Sequence, residues 1–186
     1  VAVIERTNIS LPNERLLLRE LTENDWVDVH KYASQEKVCQ YQPWGPNTTE
    51  ESMEFVKQVI KDASREPRTR YVFAIVYKVY EKMIGAGELN IRDSTNKVGE
   101  VSYIVNPEYW GKGIATDAAK LLIDFGFTNF SLHRIYATCD PRNIGSAKVL
   151  EKAGMTREGR IREDLLLKDG WRDSLLYSVL QHEWRN

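Results

Sequence analysis

Residues that build metal centres and disulfide frameworks are scarce in this sequence. The 186 residues include two cysteines, Cys39 and Cys139, and three histidines, His30, His133 and His182. Two thiols far apart in the chain make no disulfide framework and lack the spacing of a zinc site. No histidine has a second ligand at helical or strand spacing, so each reads as structural or surface and no metal is expected. A reducing cytoplasm is the expected compartment. Charge of one sign is also missing: 26 Lys and Arg face 27 Asp and Glu. That balance leaves no basic excess for a nucleic-acid partner. No apolar run approaches the roughly 20 residues a bilayer span needs, so no membrane partner is expected. The first residues show no charged region followed by an apolar one, so no secretory signal is expected. Repeats, low-complexity segments and long linkers are absent, which predicts one domain over residues 1–186.

What is present reads as alternating strands and helices. Leu16 and Leu18 alternate with Arg15, Leu17 and Arg19 over Arg15–Glu20, a first strand. Thr22-Glu-Asn-Asp is a helix-start signal, and Trp26, Val29, His30 and Ala33 follow at helical spacing. Pro43, Gly45 and Pro46 make Gln42–Asn47 a loop. Thr49, Ser52 and the acidic pair Glu50 and Glu51 open a second helix reaching about Ser64. Tyr71–Tyr77, Met83–Ile91 and Val98–Val105 are strand-like, and residues 78–82 and 92–97 join them as a meander. After Asn106-Pro107 the period changes. Ile114, Ala118, Leu121, Leu122 and Phe125 lie on one helical face. Arg134–Thr138 is a strand. A helix then starts at Asn143 or Ser146 and stops at Gly154. Arg160–Leu167 and Trp171–Leu180 close the chain as a hairpin about Lys168-Asp169-Gly170. The order predicts an α/β (mixed α+β) fold: a mixed, largely antiparallel twisted sheet of about seven strands flanked by about four helices.

The stretch from Val98 to Thr116 carries the chemistry. A strand runs into a short loop that delivers Gly111 and Gly113 to the start of a long helix. The first turn of a helix has unsatisfied N–H groups and a partial positive charge, and glycine lets backbone curl around an anion such as pyrophosphate. Gly111 to Thr116 is therefore a candidate phosphate cradle, or else a tight strand-to-helix turn without a ligand. The Walker pattern is absent, and the dinucleotide fingerprint lacks its third glycine because Thr116 stands there. Asp140 falls roughly where a ribose-binding acid would lie, but a meander before the motif disagrees with a parallel doubly wound sheet.

Asn106-Pro, then Tyr109-Trp-Gly-Lys-Gly-Ile-Ala-Thr and an amphipathic helix, resembles the acetyl-CoA-binding motif of the GNAT acyltransferase superfamily, most closely its RimJ/RimL-type N-acetyltransferase branch. Gly113 and Ala115 match the last two fixed positions of the superfamily pattern, while Trp110 replaces its usual Gln or Arg. A second stretch, Asn143-Ile-Gly-Ser-Ala-Lys-Val-Leu-Glu-Lys-Ala-Gly-Met, is similar to that branch's next helix, with Met155 in place of Phe. The opening Arg15-Leu-Leu-Leu-Arg and closing Trp171-Arg-Asp-Ser-Leu-Leu-Tyr also look like the branch's ends, so the likeness spans nearly the whole chain.

The resemblance implies acetyl transfer from acetyl-CoA directly to a primary amine, either a protein N-terminus, ribosomal proteins included, or a small-molecule amine. It assigns Val105 backbone groups to the pantetheine arm, and Gly111, Lys112, Gly113, Ile114, Ala115 and Thr116 to the pyrophosphate. Asn143 would bind the pantetheine, with Ser146 close to it, although either residue also suits a helix cap. The amine must be neutral to attack, and free amines have pKa values of about 8 to 10.4, so a base helps. Glu100 is the candidate base, an acid in a strand otherwise full of Val, Tyr and Ile, with Glu88 as its substitute. Many members place an acidic Tyr where this chain has Leu150, which leaves Ser146 as the candidate acid. Trp26, Tyr32, Tyr41 and Trp44 lie in the segment that usually forms the acceptor side. Two other readings stay open, a non-catalytic acyl-CoA sensor and a dinucleotide-dependent enzyme. Both monomer and homodimer are compatible, the latter through the last strand.

Overall fold

The computed structural model describes residues 8–184. Strands β1 (Ser10–Pro12) and β2 (Leu16–Glu20) lead into helices α1 (Trp26–Ala33), α2 (Glu36–Cys39) and α3 (Thr49–Asp62). The meander is β3 (Arg70–Tyr77), β4 (Lys82–Asp93) and β5 (Val98–Val105). Helix α4 (Ile114–Phe130), β6 (Arg134–Cys139), α5 (Ile144–Lys152) and the hairpin β7 (Thr156–Leu167) and β8 (Gly170–Leu180) complete the order.

One sheet holds all eight strands, ordered β1-β2-β3-β4-β5-β6-β8-β7. Every neighbouring pair is antiparallel except β5 and β6, which run parallel because α4 carries the chain across between them. Apolar side chains leave the sheet on both faces. Tyr71, Phe73 and Ile75 of β3 join a core under α4, whereas Val72, Ala74 and Val76 join a second core under α1 and α3. Burial on both faces is why β3 reads as one continuous apolar run. Local signals set the helix starts. Thr48 Oγ1 accepts the Glu51 N–H at 3.2 Å while Glu51 returns a bond to Thr48 N–H at 2.8 Å, a capping box.

The expected mixed, largely antiparallel sheet flanked by helices is present, and four details differ from expectation. The sheet has eight strands rather than about seven, because β1 is too short to show a period; it pairs Ser10↔Arg19 through Pro12↔Leu17. The described residues contain five α-helices rather than about four, since α2 is a single turn. Strand β7 starts at Thr156, not Arg160, and it is exposed along nearly all its length, so no apolar alternation marks its beginning. The last strand, β8, lies between β6 and β7, so the edge strands of the sheet are β1 and β7.

Candidate active site

The parallel pair β5 and β6 is joined only at Val98↔Arg134, Gly99↔Ile135 and Glu100↔Tyr136. Beyond that β5 continues to Val105 and β6 to Cys139 without pairing, so the sheet forks. The fork exposes backbone. Asn106 N–H donates to Ile84 O at 2.7 Å, which fixes the hydrogen-bonded pairs of β4 and β5 on even-numbered β5 residues. Alternation then turns the N–H and C=O of Tyr103 and Val105 away from β4 and into the fork. Trp110 Nε1–H takes the Val105 carbonyl at 2.7 Å and fastens the following loop to the strand end.

That loop ends at the first turn of α4. Gly111 and Gly113 have φ of +74° and +75°, the left-handed region where a Cβ is strained. No side chain caps α4, so its first N–H groups stay open. Arg15, immediately before β2, braces the loop: its guanidinium donates to Lys112 O at 2.6 Å and to Asp117 Oδ2 at 2.8 and 3.0 Å. Neutralising Asp117 matters here, because a carboxylate in that first turn would otherwise repel an anion at the cradle.

Two cavities open on opposite faces of the sheet and share Gln42, Tyr103 and Ile104 at the fork. One, about 650 Å³, runs between α4 and α5 and is lined by Gly111, Gly113, Ile114, Ala115, Thr116, Val105, Asn143 and Ser146. Its charged lining consists of Lys37, Arg142, Lys148 and Lys152, with no carboxylate. The other, about 880 Å³, lies under α1 and α3. Its walls are mostly apolar and aromatic, including Tyr32, Trp44, Phe55 and Val72, and its charges are Glu51, Glu54 and Glu88 with Arg70 and Lys168. Arg70 is held by Asp62 at 2.9 Å and by both Glu88 oxygens at 2.8 and 3.2 Å, and Lys168 donates to Gly45 O. One cavity thus suits an anion with a long apolar arm, and the other admits a cation to the far side of the same opening.

A family description, the acetyltransferase (GNAT) domain, matches residues 15–156. The chain belongs to the GNAT acetyltransferases. It is 33% identical to the uncharacterized N-acetyltransferase YnaD of Bacillus subtilis over 94% of this chain and 98% of that protein. It is 28% identical to the spermidine N(1)-acetyltransferase of Escherichia coli K12 over 90% and 87%. Among solved structures, a GNAT-family acetyltransferase from Bacillus anthracis superposes with a TM-score of 0.82 at 31% identity, covering 94% of this chain and 99% of that one. The ribosomal-protein-S5-alanine acetyltransferase of Vibrio fischeri gives 0.79 at 29% identity, covering 96% and 100%. The protein is an acetyl-CoA-dependent acetyltransferase, and acetyl-CoA is its cosubstrate.

The structure gathers most of the GNAT motif residues and leaves some apart. Gly111, Gly113, Ile114, Ala115, Thr116, Val105, Asn143 and Ser146 line the α4–α5 cavity together. Lys112 does not line it; its ammonium lies over the Tyr109 ring at 5.1 Å. Asn143 also caps α5, its Oδ1 accepting Ser146 N–H at 3.1 Å. Glu100 shares a sheet face with Ser102 and Ile104 but sits low on β5, beside the paired part of the fork. It lines neither cavity, and Arg92 holds it at 2.6 Å. Glu88, opposite Ser102, does line the cavity under α1 and α3. Tyr32 and Trp44 wall that cavity, Tyr41 lines the α4–α5 cavity, and Trp26 packs on the core.

Asp140 is 1% exposed and fully engaged by Arg142, accepting from its N–H at 2.8 Å, its Nε at 3.0 Å and its Nη2 at 2.8 Å. That leaves it no role on a ribose, and the largely antiparallel sheet disagrees with a dinucleotide fold. His30 Nδ1 pairs with Ser52 Oγ at 3.0 Å, and among the described residues no cluster of three His, Cys, Asp or Glu is placed to hold a metal ion. No described helix is long and apolar enough to cross a membrane.

Sequence reasoning missed Tyr103, which read as strand core. Its hydroxyl lies 3.0 Å from Ser146 Oγ, bridging β5 to α5 across the fork. Burial pushes its phenol well above the ordinary range, with the Ser146 bond pulling back. The four cations that line the α4–α5 cavity were missed as well. Lys148 and Lys152, one turn apart on α5, were visible as a helical pair, but nothing in the sequence showed which way that face points.

Proposed function

We propose that this protein N-acetylates a primary amine that carries further positive charge, with acetyl-CoA bound through the α4–α5 cavity and the amine entering from the α1–α3 side. The observation that carries the reading is the pair of oppositely charged cavities meeting at one fork. Cations without a carboxylate suit the phosphates of CoA, and the open N–H groups of Ile114, Ala115 and Thr116 suit its pyrophosphate. The backbone polar groups of Tyr103 and the Val105 N–H, turned into the fork, suit the pantetheine arm, the Val105 carbonyl being held by Trp110. The amine attacks the thioester carbonyl, the C–S bond breaks with its electron pair going to sulfur, and the nitrogen gives up a proton. Glu88 is the better-placed acceptor of that proton, directly or through water, since it lines the acceptor cavity and Glu100 does not. Ser146, on the wall of the same cavity, is the candidate donor to the departing sulfur.

A cationic acceptor is favoured by Glu51, Glu54 and Glu88, whose charge Arg70 and Lys168 only partly offset. The spermidine acetyltransferase among the relatives fits that chemistry. A protein N-terminus is the second reading, supported by the ribosomal-protein acetyltransferase among the structural neighbours. The buried free thiols Cys39 and Cys139 fit work in the cytoplasm. Release of CoA thiol with acetyl-CoA and a panel of polyamines, N-terminal peptides and neutral primary amines tests the proposal. Polyamine turnover above the other two groups supports it, peptide preference moves the acceptor to the second reading, and no acetyl-CoA binding refutes the donor site.

A further inference from the structure

We infer that Lys168 and Arg172, around the turn of the β7–β8 hairpin, are positioning residues that clamp the segment between α2 and α3 in place as the common wall of both cavities. This rests on the proposed acceptor side. Residues 40–48 join the two helices without regular structure. Tyr41 and Gln42 line the α4–α5 cavity, and Gln42, Trp44 and Gly45 line the cavity under α1 and α3. One irregular stretch therefore bounds the path of both substrates, and Gln42 stands where the two cavities meet. Such a stretch, left free, would lose conformational entropy at every binding event. Held beforehand, it presents its side chains to the ligand without that loss.

Local bonds tie the segment near its ends: Gln42 N–H donates to Cys39 O at 2.9 Å, and Asn47 N–H to Ala33 O at 2.8 Å. The carbonyls of Tyr41 and Gly45, which flank Gln42 and Trp44, are taken by the distant hairpin. Arg172 Nη1 donates to Tyr41 O at 3.2 Å, and Lys168 Nζ donates to Gly45 O. Arg172 is itself fixed, since its Nη2 donates at 3.1 Å to the Oγ of Ser174, a fully buried residue. Asp169, in the same turn, accepts from Arg142 Nη1 at 3.0 Å, and the Arg142 guanidinium lies 5.6 Å from the centre of the Tyr41 ring. On its other side the segment packs against α2 so closely that a Cβ on Gly45 would overlap Cys39 Sγ. The stretch is thus gripped between α2 and the hairpin. Charge alone predicts the opposite role for Lys168. It is a cation on the wall of a cavity that takes a cationic amine, so acting through charge it would weaken acceptor binding. Acting as a clamp it strengthens that binding, and the sign of the change on its removal separates the two.

Lys168→Met keeps the apolar stem and deletes the donor, while Lys168→Arg keeps a charged donor. Position 168 is exposed at a turn, so both variants fold. The first readout needs no substrate. Hydrogen exchange of the peptide covering residues 40–48 should be about fivefold faster in Lys168→Met and in Arg172→Met than in wild type or Lys168→Arg. The second readout is steady-state kinetics with spermidine. Lys168→Met should raise KM for spermidine about fivefold, with kcat and the Kd for acetyl-CoA within about twofold, and Lys168→Arg should stay within about twofold of wild type throughout. Arg172→Met, which frees Tyr41, should raise the Kd for acetyl-CoA as well. A merely structural role would instead lower kcat through the folded fraction and leave KM unchanged. Unchanged exchange, or a KM for spermidine that is unchanged or lower in Lys168→Met, would overturn the inference. Wild type that acetylates no spermidine would refute the cationic-acceptor reading and, with it, the role given to Lys168.

Discussion

Replacing Gly113 by alanine strains the backbone and also crowds Arg15, and the two effects can be separated. A residue with a Cβ loses roughly 1–2 kcal/mol in the left-handed region. Gly111 and Gly113 share that conformation, with φ of +74° and +75°. A Cβ on Gly111 meets nothing within 4 Å, whereas one on Gly113 lies 3.2 Å from Arg15 Nη2. Gly111→Ala therefore carries the backbone cost alone. Gly113→Ala also pushes Arg15 Nη2 aside by a few tenths of an ångström and loosens its pair with Asp117, whose side chains are 38% and 26% exposed, which adds about 0–1 kcal/mol at most. Gly145→Ala is the control: its φ is not positive, its nearest neighbour is 3.7 Å away, and alanine in a helix is favoured by about 0.5–1 kcal/mol.

Thermal unfolding should rank Gly145→Ala at or above wild type, then Gly111→Ala, then Gly113→Ala, at about 2–4 °C per kcal/mol for a chain of this size. Calorimetric titration with acetyl-CoA gives the functional half. If the loop escapes strain by leaving the cradle conformation, 1–2 kcal/mol of affinity is lost, about 5- to 30-fold in Kd. Wild-type affinity in both cradle variants would refute the claim that this loop holds the donor. Equal effects of the two would refute the role given to Arg15.

Three further outcomes are expected. Glu88→Gln should lower turnover at neutral pH at least about tenfold with acetyl-CoA affinity retained, while Glu100→Gln should cost no more than the partly exposed ion pair with Arg92, about 0–1 kcal/mol of stability; steady-state kinetics with both variants that gave the reverse order would restore Glu100 as the base. Lys148→Ala with Lys152→Ala should raise the Kd for acetyl-CoA at low salt, with the penalty shrinking as ionic strength rises; a salt-independent penalty would argue against charge attraction. The third concerns acid. Asp140 is held below the usual carboxylate range: burial alone would raise it, but its bonds from Arg142 outweigh that, and Asp25 with Arg19 behaves alike. A carboxyl depressed in the folded state stabilises above its unfolded value and loses that contribution as pH falls through its folded value. The melting temperature should therefore hold down to about pH 5 and fall below about pH 4, and Asp140→Asn should flatten that fall; an unchanged acid limb in that variant would remove Asp140 as a source.

Several elements were legible because their signals are local. Asn106-Pro107 ends β5, paired glycines turn the loop, and α4 shows its apolar face in the sequence. The meander followed from short connections between β-rich runs, and β3 announced its burial by having no polar alternation. Strand β7 was half-hidden because an exposed edge strand has no apolar period to read. Glu100 and Glu88 show a different kind of failure. Both are lone acids on β-strands and look alike in one dimension, yet only Glu88 lines the acceptor cavity.

The sequence by itself determined the fold class and the glycine turn into α4, since backbone conformation and helix starts depend on residues a few positions apart. Only the tertiary structure decided which side chains meet at the fork. Tyr103 reaches Ser146 and Arg15 reaches Lys112 and Asp117 across many intervening residues. The physical reason is that β5 and β6 separate after three pairs, a consequence of how the crossover through α4 and the β8 pairing seat β6, which no periodicity within either strand records.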